Sequence, residues 1–194
     1  MRTSALVTGV SRGIGYAITE YLASQEIDLI LLPQDPERLR QAKQSIIAAH
    51  PKCEVSTALI DMNSVRKIEN QLDAIIEHYP PISIFINSEG ILRFGASEMP
   101  VAQLLELLTI NLISTLVISN KLAAKIKLRR AGHIFTPSSI AGLENKSASA
   151  AHASSKAGLI SYNQALYSKL LPYGVNATCL CPGSANTDMT NDDG

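Results

Sequence analysis

The sequence predicts an α/β protein, built as a doubly wound parallel sheet of about six strands with helices on both faces. Three observations carry this. Short apolar runs alternate with amphipathic stretches along the whole chain. Pro and Gly punctuate the junctions between them. The first apolar run passes through a glycine-rich bend, Thr8-Gly9-Val10-Ser11-Arg12-Gly13-Ile14-Gly15, into a helical pattern. No internal repeat or low-complexity linker interrupts the alternation, so residues 1–194 read as a single domain, long enough to bury a core.

In order, Ser4 to Val7 is the first strand and Tyr16 to Ser24 an amphipathic helix. Asp28 to Leu32 is a second buried strand, ended by Pro33. Pro36-Glu37 opens a helix with Leu39, Ala42, Ile46 and Ile47 inward, and the helix stops before Pro51. Glu54 to Ile60 is the third strand, ending at Asp61-Met62. Asn63 or Ser64 then caps a helix with Val65, Ile68, Leu72, Ile75 and Ile76 on one face, broken by Pro80-Pro81. Ile82 to Ile86 is the fourth strand. Pro100 opens a long helix through Leu104, Leu107, Leu108, Leu112, Leu116 and Ile118 to about Leu128, stopped by Gly132. Lys125, Lys127, Arg129 and Arg130 form a solvated cluster at its carboxyl end, where the helix dipole favours cations. His133 to Thr136 is the fifth strand, and Ser138 to Ala150 a loop rich in Ser, Ala and Gly. Ala153 to Leu171 is a helix with Leu159, Ile160, Ala165, Leu166 and Leu170 in the core. Val175 to Cys181 is the sixth strand, and Pro182-Gly183 turns the chain.

Lys plus Arg and Asp plus Glu balance at 17 each, and nothing in that balance points to a nucleic-acid or acidic-polymer partner. No apolar run reads as long enough for a membrane span, and Arg2-Thr3-Ser4 is no secretory leader. The three cysteines, Cys53, Cys179 and Cys181, are odd in number and lack zinc spacing. Cys179 and Cys181 alternate with Leu180 and read as strand or core residues. A reducing cytoplasm is the compartment this usage points to.

In open sheets of this kind a ligand lies at the carboxyl ends of the strands. The segments that converge there are Gly9 to Gly15, Asp61, Asn87 to Gly90, Ser138-Ser139 and Pro182 to Thr187. Strand, glycine bend and helix in succession are what a dinucleotide diphosphate requires. Gly9 permits a tight turn, Gly13 lets backbone approach the phosphates, and Gly15 lets the helix pack close to the sheet. The helix then presents unpaired N–H groups and the positive end of its dipole.

This set of residues resembles the short-chain dehydrogenase/reductase family over almost the whole chain. Thr8 to Gly15 is similar to its T-G-x-x-x-G-I-G loop, with Ser11, Arg12 and Ile14 inside it, and Asn87-Ser88-Glu89-Gly90 to its N-N-A-G. Lys156 matches the Lys of Y-x-x-x-K, and Pro182-Gly183 with Thr187 matches P-G-x-x-x-T. The resemblance implies a Rossmann-type sheet in the order 3-2-1-4-5-6. It implies hydride exchange between a nicotinamide dinucleotide and a small-molecule carbonyl or alcohol. Asp61 and Met62 would meet adenine, and Asn87 and Gly90 would flank the cofactor. Pro182, Gly183 and Thr187 would meet the nicotinamide side. Asn111 would be the structural and catalytic Asn of the long helix, Ser139 would hold the substrate oxygen, and Lys156 would clamp the ribose. A homo-oligomer, dimer or tetramer, would form through the long helices that follow strands four and five.

Three departures qualify the resemblance. The family's catalytic Tyr is replaced by His152, thirteen residues after Ser139 and four before Lys156. An imidazole titrates near neutrality and can relay a proton, but it reaches less far than a phenol, and a nearby Lys156 ammonium disfavours its charged form. His152 therefore reads either as an altered proton donor or as the mark of an impaired site. In the second case the chain would be a nucleotide-binding protein with a regulatory or partner role. Glu89 stands where the family has Ala; beside the cofactor crevice it would bring an unfavourable charge near the phosphates or a new polar contact, or it points to solvent as most Glu do. The sequence given ends at Gly194, before the substrate-covering helix and seventh strand of the family, which would leave strand six an open edge and the pocket without its lid. For the cofactor, no carboxylate follows strand two until Asp35, and Arg12 sits where the family's NADP users place a basic residue. These features favour NADP(H) over NAD(H).

Overall fold

Six parallel strands form one sheet in the order β3-β2-β1-β4-β5-β6. The structure is a computed structural model and describes residues 3–32, 36–93, 99–144 and 149–183. The strands are β1 (Ser4–Thr8), β2 (Asp28–Leu32), β3 (Val55–Thr57), β4 (Ile82–Asn87), β5 (Gly132–Pro137) and β6 (Val175–Leu180). The helices are α1 (Gly13–Ser24), α2 (Pro36–Ala49), α3 (Val65–His78), α4 (Val101–Leu108), α5 (Ser114–Arg129) and α6 (Ala150–Leu170), with a π turn at Thr109–Ile113 joining α4 to α5. The predicted class, order and alternation hold.

All five residues of β1 and all five of β2 are buried, because helices cover both faces of the sheet there. Alternate residues feed two cores. Leu6, Ile30, Phe85 and Ile134 point to one side, with Ile68 and Leu72 of α3, Ile118 and Ile126 of α5, and Leu166 and Leu170 of α6. Ala5, Val7, Leu29 and Leu31 point to the other, with Leu22 of α1 and Leu39 and Ile46 of α2. Truncating a fully buried residue such as Phe85 would cost about 3–5 kcal/mol.

The structure corrects several boundaries. β3 covers only Val55–Thr57 rather than Glu54 to Ile60: it is an edge strand, and its last bond to β2 is from Ala58 N–H to the Leu31 carbonyl. The serine-rich loop contains a 3₁₀ turn at Ile140–Gly142, and α6 starts at Ala150, which puts His152 in its first turn. Cys181 lies beyond β6. Ile47, Val65 and Ala165, read as core positions, are exposed, and Asn163 is buried instead. The long helix ends at Arg129 with Arg130 in the left-handed region, before Gly132 is reached. Lys127 and Arg130 then lie over the Tyr173 ring, at 4.6 and 6.0 Å from its centroid.

The continuous helical stretch Val101–Arg129 is long and apolar enough to cross a membrane by length and composition, contrary to the sequence reading. In this fold it covers the sheet. Ile118, Leu122 and Ile126 fill the core, and buried Asn111, Ser114 and Thr115 bond to neighbouring loops and strands.

Candidate functional site

The glycine bend is locked by close backbone packing. Gly9 has φ +65°, and a Cβ added there would lie 2.3 Å from the Ser88 carbonyl oxygen. A Cβ on Gly15 would lie 2.1 Å from the Gly9 carbonyl oxygen. The β1–α1 bend is thus pressed against the loop after β4. At the start of α1, Arg12 occupies the capping position without a side-chain bond to the first turn, and no acidic residue lies in that turn. The amides of Gly13, Ile14 and Gly15 and the dipole therefore retain their preference for an anion. Ser11 and Arg12 are half-buried beside them.

A cavity of about 210 Å³ opens next to this bend, between the ends of β1, β2 and β4. Thr8, Leu32, Asp61, Met62, Glu89 and Ile110 are among its walls. Asp61 accepts from the Asn63 amide at 3.2 Å and pairs with Lys67 at 3.1 Å, which fixes the turn before α3. Ser114 Oγ donates to the Met62 carbonyl at 2.6 Å, tying the same turn to α5.

A buried polar chain crosses the sheet ends. Thr115 Oγ1 accepts from Asn87 Nδ2 at 2.8 Å, Thr8 Oγ1 donates to Asn87 Oδ1 at 3.0 Å, and Thr8 Oγ1 accepts from the Glu89 amide at 3.2 Å. This holds Glu89 inside rather than out. Against the expectation of a solvent-facing carboxylate, Glu89 is only 5% exposed and borders the cavity. Burial pushes its carboxyl up to about 7, partly offset by the Gly9 amide that donates to it.

Asn111 sits in the π turn, wholly buried. Its Oδ1 accepts from the Ile91 amide at 2.7 Å and its Nδ2 donates to the Ile91 carbonyl at 2.8 Å, so one side chain clamps the loop after Gly90. The same Nδ2 is 3.4 Å from Ser155 Oγ and 3.4 Å from His152 Nδ1. Ser155 gives its own proton to the His152 carbonyl at 2.7 Å, so its oxygen accepts from Asn111. His152 Nδ1 lies 3.3 Å from the Ile91 carbonyl oxygen, which can only accept. With the two Asn111 Nδ2 hydrogens directed at the Ile91 carbonyl and Ser155 Oγ, the proton is assigned to Nδ1, and the lone pair of the neutral ring to Nε2. Burial first, then the charge of Lys156, lowers the His152 pKa below its ordinary value, and the Ile91 bond opposes this. Burial also brings Lys156 down to about 8. Gly90 completes the group: a Cβ there would be 3.4 Å from Asn111 Oδ1 and 3.5 Å from Lys156 Nζ.

The serine segment reaches the same helix from β5. Ser138 Oγ donates to the Lys156 carbonyl at 2.8 Å, and Ser139 Oγ accepts from the Ala141 amide at 3.1 Å, starting the 3₁₀ turn. The Pro182 carbonyl accepts from the Ile140 amide at 2.9 Å, which brings Pro182 to this turn, while Gly183 is exposed and a Cβ added there would meet none of the described residues within 4 Å. Thr187 lies outside the described residues, as do Pro33, Gln34 and Asp35 after β2. Cys179, a strand residue by its sequence pattern, lies close enough to Lys156 and Ser138 to interact with both. Burial and neighbouring Cys181 push its thiol up to about 11, so it stays protonated there. Its only sequence signal was its position at the end of a strand.

Comparison with known proteins fits this geometry. The profile of the short chain dehydrogenase family matches residues 3–194. An uncharacterised oxidoreductase of Staphylococcus saprophyticus is 30% identical over 189 residues, covering 97% of this chain and 80% of its own. The 3-oxoacyl-acyl-carrier-protein reductase of Escherichia coli is 30% identical over 187 residues, covering 96% and 75%. Among solved structures, a short-chain dehydrogenase from Sphingobium yanoikuyae in complex with NADPH superposes with a TM-score of 0.90 at 21% identity, covering 99% of this chain and 74% of that one. An actinorhodin polyketide ketoreductase with NADPH superposes at 0.89 and 26% identity, covering 98% and 74%. With a family profile spanning nearly every residue, relatives matched along most of their length, and the strand order this architecture requires, the chain belongs to the short-chain dehydrogenase/reductase family of oxidoreductases.

Proposed function

We propose that this protein moves hydride between NADP(H) and a small-molecule carbonyl/alcohol pair. The observation that carries the proposal is the cluster of Asn111, His152 and Lys156 around Gly90-Ile91, at the same sheet edge as the uncapped start of α1. The residues present fit a dinucleotide: the bare amides of α1 suit a diphosphate, and the cavity ending at Asp61 and Met62 suits the adenosine end. When bound, that cofactor supplies hydride acceptance and donation at its nicotinamide.

The chain's own residues do the rest. The Lys156 ammonium holds positive charge at the centre of the crevice, where it can grip a ribose hydroxyl. Ser139 would hold the substrate oxygen. Asn111 orients His152 through the loop that both contact. His152 exchanges the proton at Nε2: neutral, it takes one from an alcohol; charged, it gives one to a carbonyl. Its lowered pKa makes it a base at neutral pH, which suits oxidation of an alcohol better than reduction of a ketone. Arg12 beside Gly13 supports the choice of NADP(H), as guanidinium suits a 2′-phosphate. Exposed Leu105, Ile113 and Tyr167 along the long helices support a homo-oligomer, and three free thiols suit a reducing cytoplasm.

The test is turnover of NADPH and NADP⁺ with a panel of ketones and secondary alcohols from about pH 5 to about pH 9. Activity that follows one ionisation and disappears in His152→Ala supports the reading. Tight NADPH binding without turnover at any pH would leave a nucleotide-binding protein with a regulatory role.

A further inference from the structure

We propose that Glu89 makes dinucleotide binding proton-coupled, so that the site fills with uptake of a proton onto this carboxyl. The inference deepens the cofactor reading above and rests on it. Its basis is where the carboxylate lies. Glu89 is 5% exposed, borders the cavity that also holds Asp61, and takes a hydrogen bond from the Gly9 amide, which belongs to the diphosphate bend itself. Its backbone cannot swing it away. The Glu89 amide is bonded to Thr8, whose hydroxyl is bonded to Asn87, and Gly9 is packed against Ser88.

Among the described residues, no cation compensates the ionised form. From the loop after β3, Asp61 adds negative charge and is itself paired with Lys67. On the loop after β4, Arg93 is engaged by Glu106 at 2.6 Å. From α6, His152 and Lys156 gather around Asn111 and Gly90, and neither shifts the Glu89 carboxyl. Arg12 stands at the start of α1, and no cationic side chain sets the Glu89 pKa, which burial alone drives up to about 7.

A dinucleotide would worsen this environment for a carboxylate. It brings two phosphate charges to the same bend and takes the carboxyl further from solvent. Ribose hydroxyls that donate to the carboxylate oppose these effects, but one or two neutral donors do not offset two anions in a desolvated crevice. The protonated carboxyl carries no charge to repel the phosphates and gains an O–H that can donate to the ligand.

The experiment is calorimetric titration of the folded protein with NADPH from about pH 6 to about pH 8.5, in buffers of different ionisation enthalpy. Wild-type affinity should fall about tenfold per pH unit above neutrality, with uptake approaching one proton per dinucleotide. Glu89→Gln and Glu89→Ala should bind with a flatter profile and without that uptake, and should be tighter than wild type at the alkaline end. Ionisation of the ligand's own 2′-phosphate and of Lys156 is common to all three proteins, so the difference between them isolates Glu89. Equal pH profiles in wild type and variants, or wild-type affinity that rises with pH, overturn the proposal and leave the cofactor reading standing. Absence of NADPH binding in all three at every pH overturns both.

Discussion

His152 Nδ1 lies 3.3 Å from the Ile91 carbonyl oxygen, a contact that favours the proton on Nδ1 and leaves Nε2 as the atom to exchange protons. Because burial and Lys156 lower the His152 pKa, the ring is neutral at pH 7. Alcohol oxidation should therefore rise with pH through an ionisation below about 6.5 and then level off, while carbonyl reduction falls over the same interval. Profiles of kcat/KM in both directions check this, and His152→Ala should lower both by about a hundredfold or more.

Gly15 and Gly90 should respond oppositely to alanine. At Gly15 the new methyl would meet the Gly9 carbonyl oxygen at 2.1 Å, a backbone atom that cannot yield without unmaking the bend. Gly15→Ala should cost about 3 kcal/mol or more, read as a shifted denaturation midpoint. At Gly90 the nearest atoms to a new methyl are 3.4 and 3.5 Å away, so Gly90→Ala should fold with near-normal stability.

Glu89 should make the fold acid-favouring in one window. Its carboxyl titrates at about 7 when folded against an ordinary 4.5, so the folded chain holds this proton longer than the unfolded one. Stability from this group is full below about pH 4.5 and is lost as pH rises towards 7, by about 3 kcal/mol in all. Glu89→Gln should accordingly stabilise the protein at about pH 8 and have little effect at about pH 4.5. Denaturant unfolding at the two pH values measures the difference.

Arg12 should separate the two nicotinamide cofactors. If its guanidinium meets a 2′-phosphate, Arg12→Ala should weaken NADPH binding by about tenfold or more and leave NADH binding nearly unchanged. Parallel titrations with both dinucleotides give the answer.

The alternation of buried strands and amphipathic helices was legible because two-sided burial leaves continuous apolar runs such as Leu29-Ile30-Leu31-Leu32. The meeting of Asn111, His152 and Lys156 was legible through family spacing, and the structure brings them together. What stayed hidden depended on contacts between distant segments. Nothing local distinguishes Glu89 from a surface Glu; the hydroxyl of Thr8, eighty-one residues earlier, pins its amide in the crevice. The nearness of Cys179 to Lys156 likewise arises only where β6 and α6 pack together. Edge position, invisible in composition, shortened β3 to Val55–Thr57.

The π turn at Thr109–Ile113 has a consequence for the helix on either side. In an unbroken α-helix, residues eleven apart return to within about 20° of the same direction. Leu107 and Ile118 are both fully buried, yet only Ile118 joins the core around Phe85, while α4 leans on α6. The wider turn swivels α4 relative to α5, letting one rod serve two neighbours and aim Asn111 between them. Loss of one residue from this stretch would wind it back to ordinary pitch, turn α4 against α6 and pull the Asn111 amide from Ile91, whereas exchanging one exposed side chain there, such as Ile113, would not.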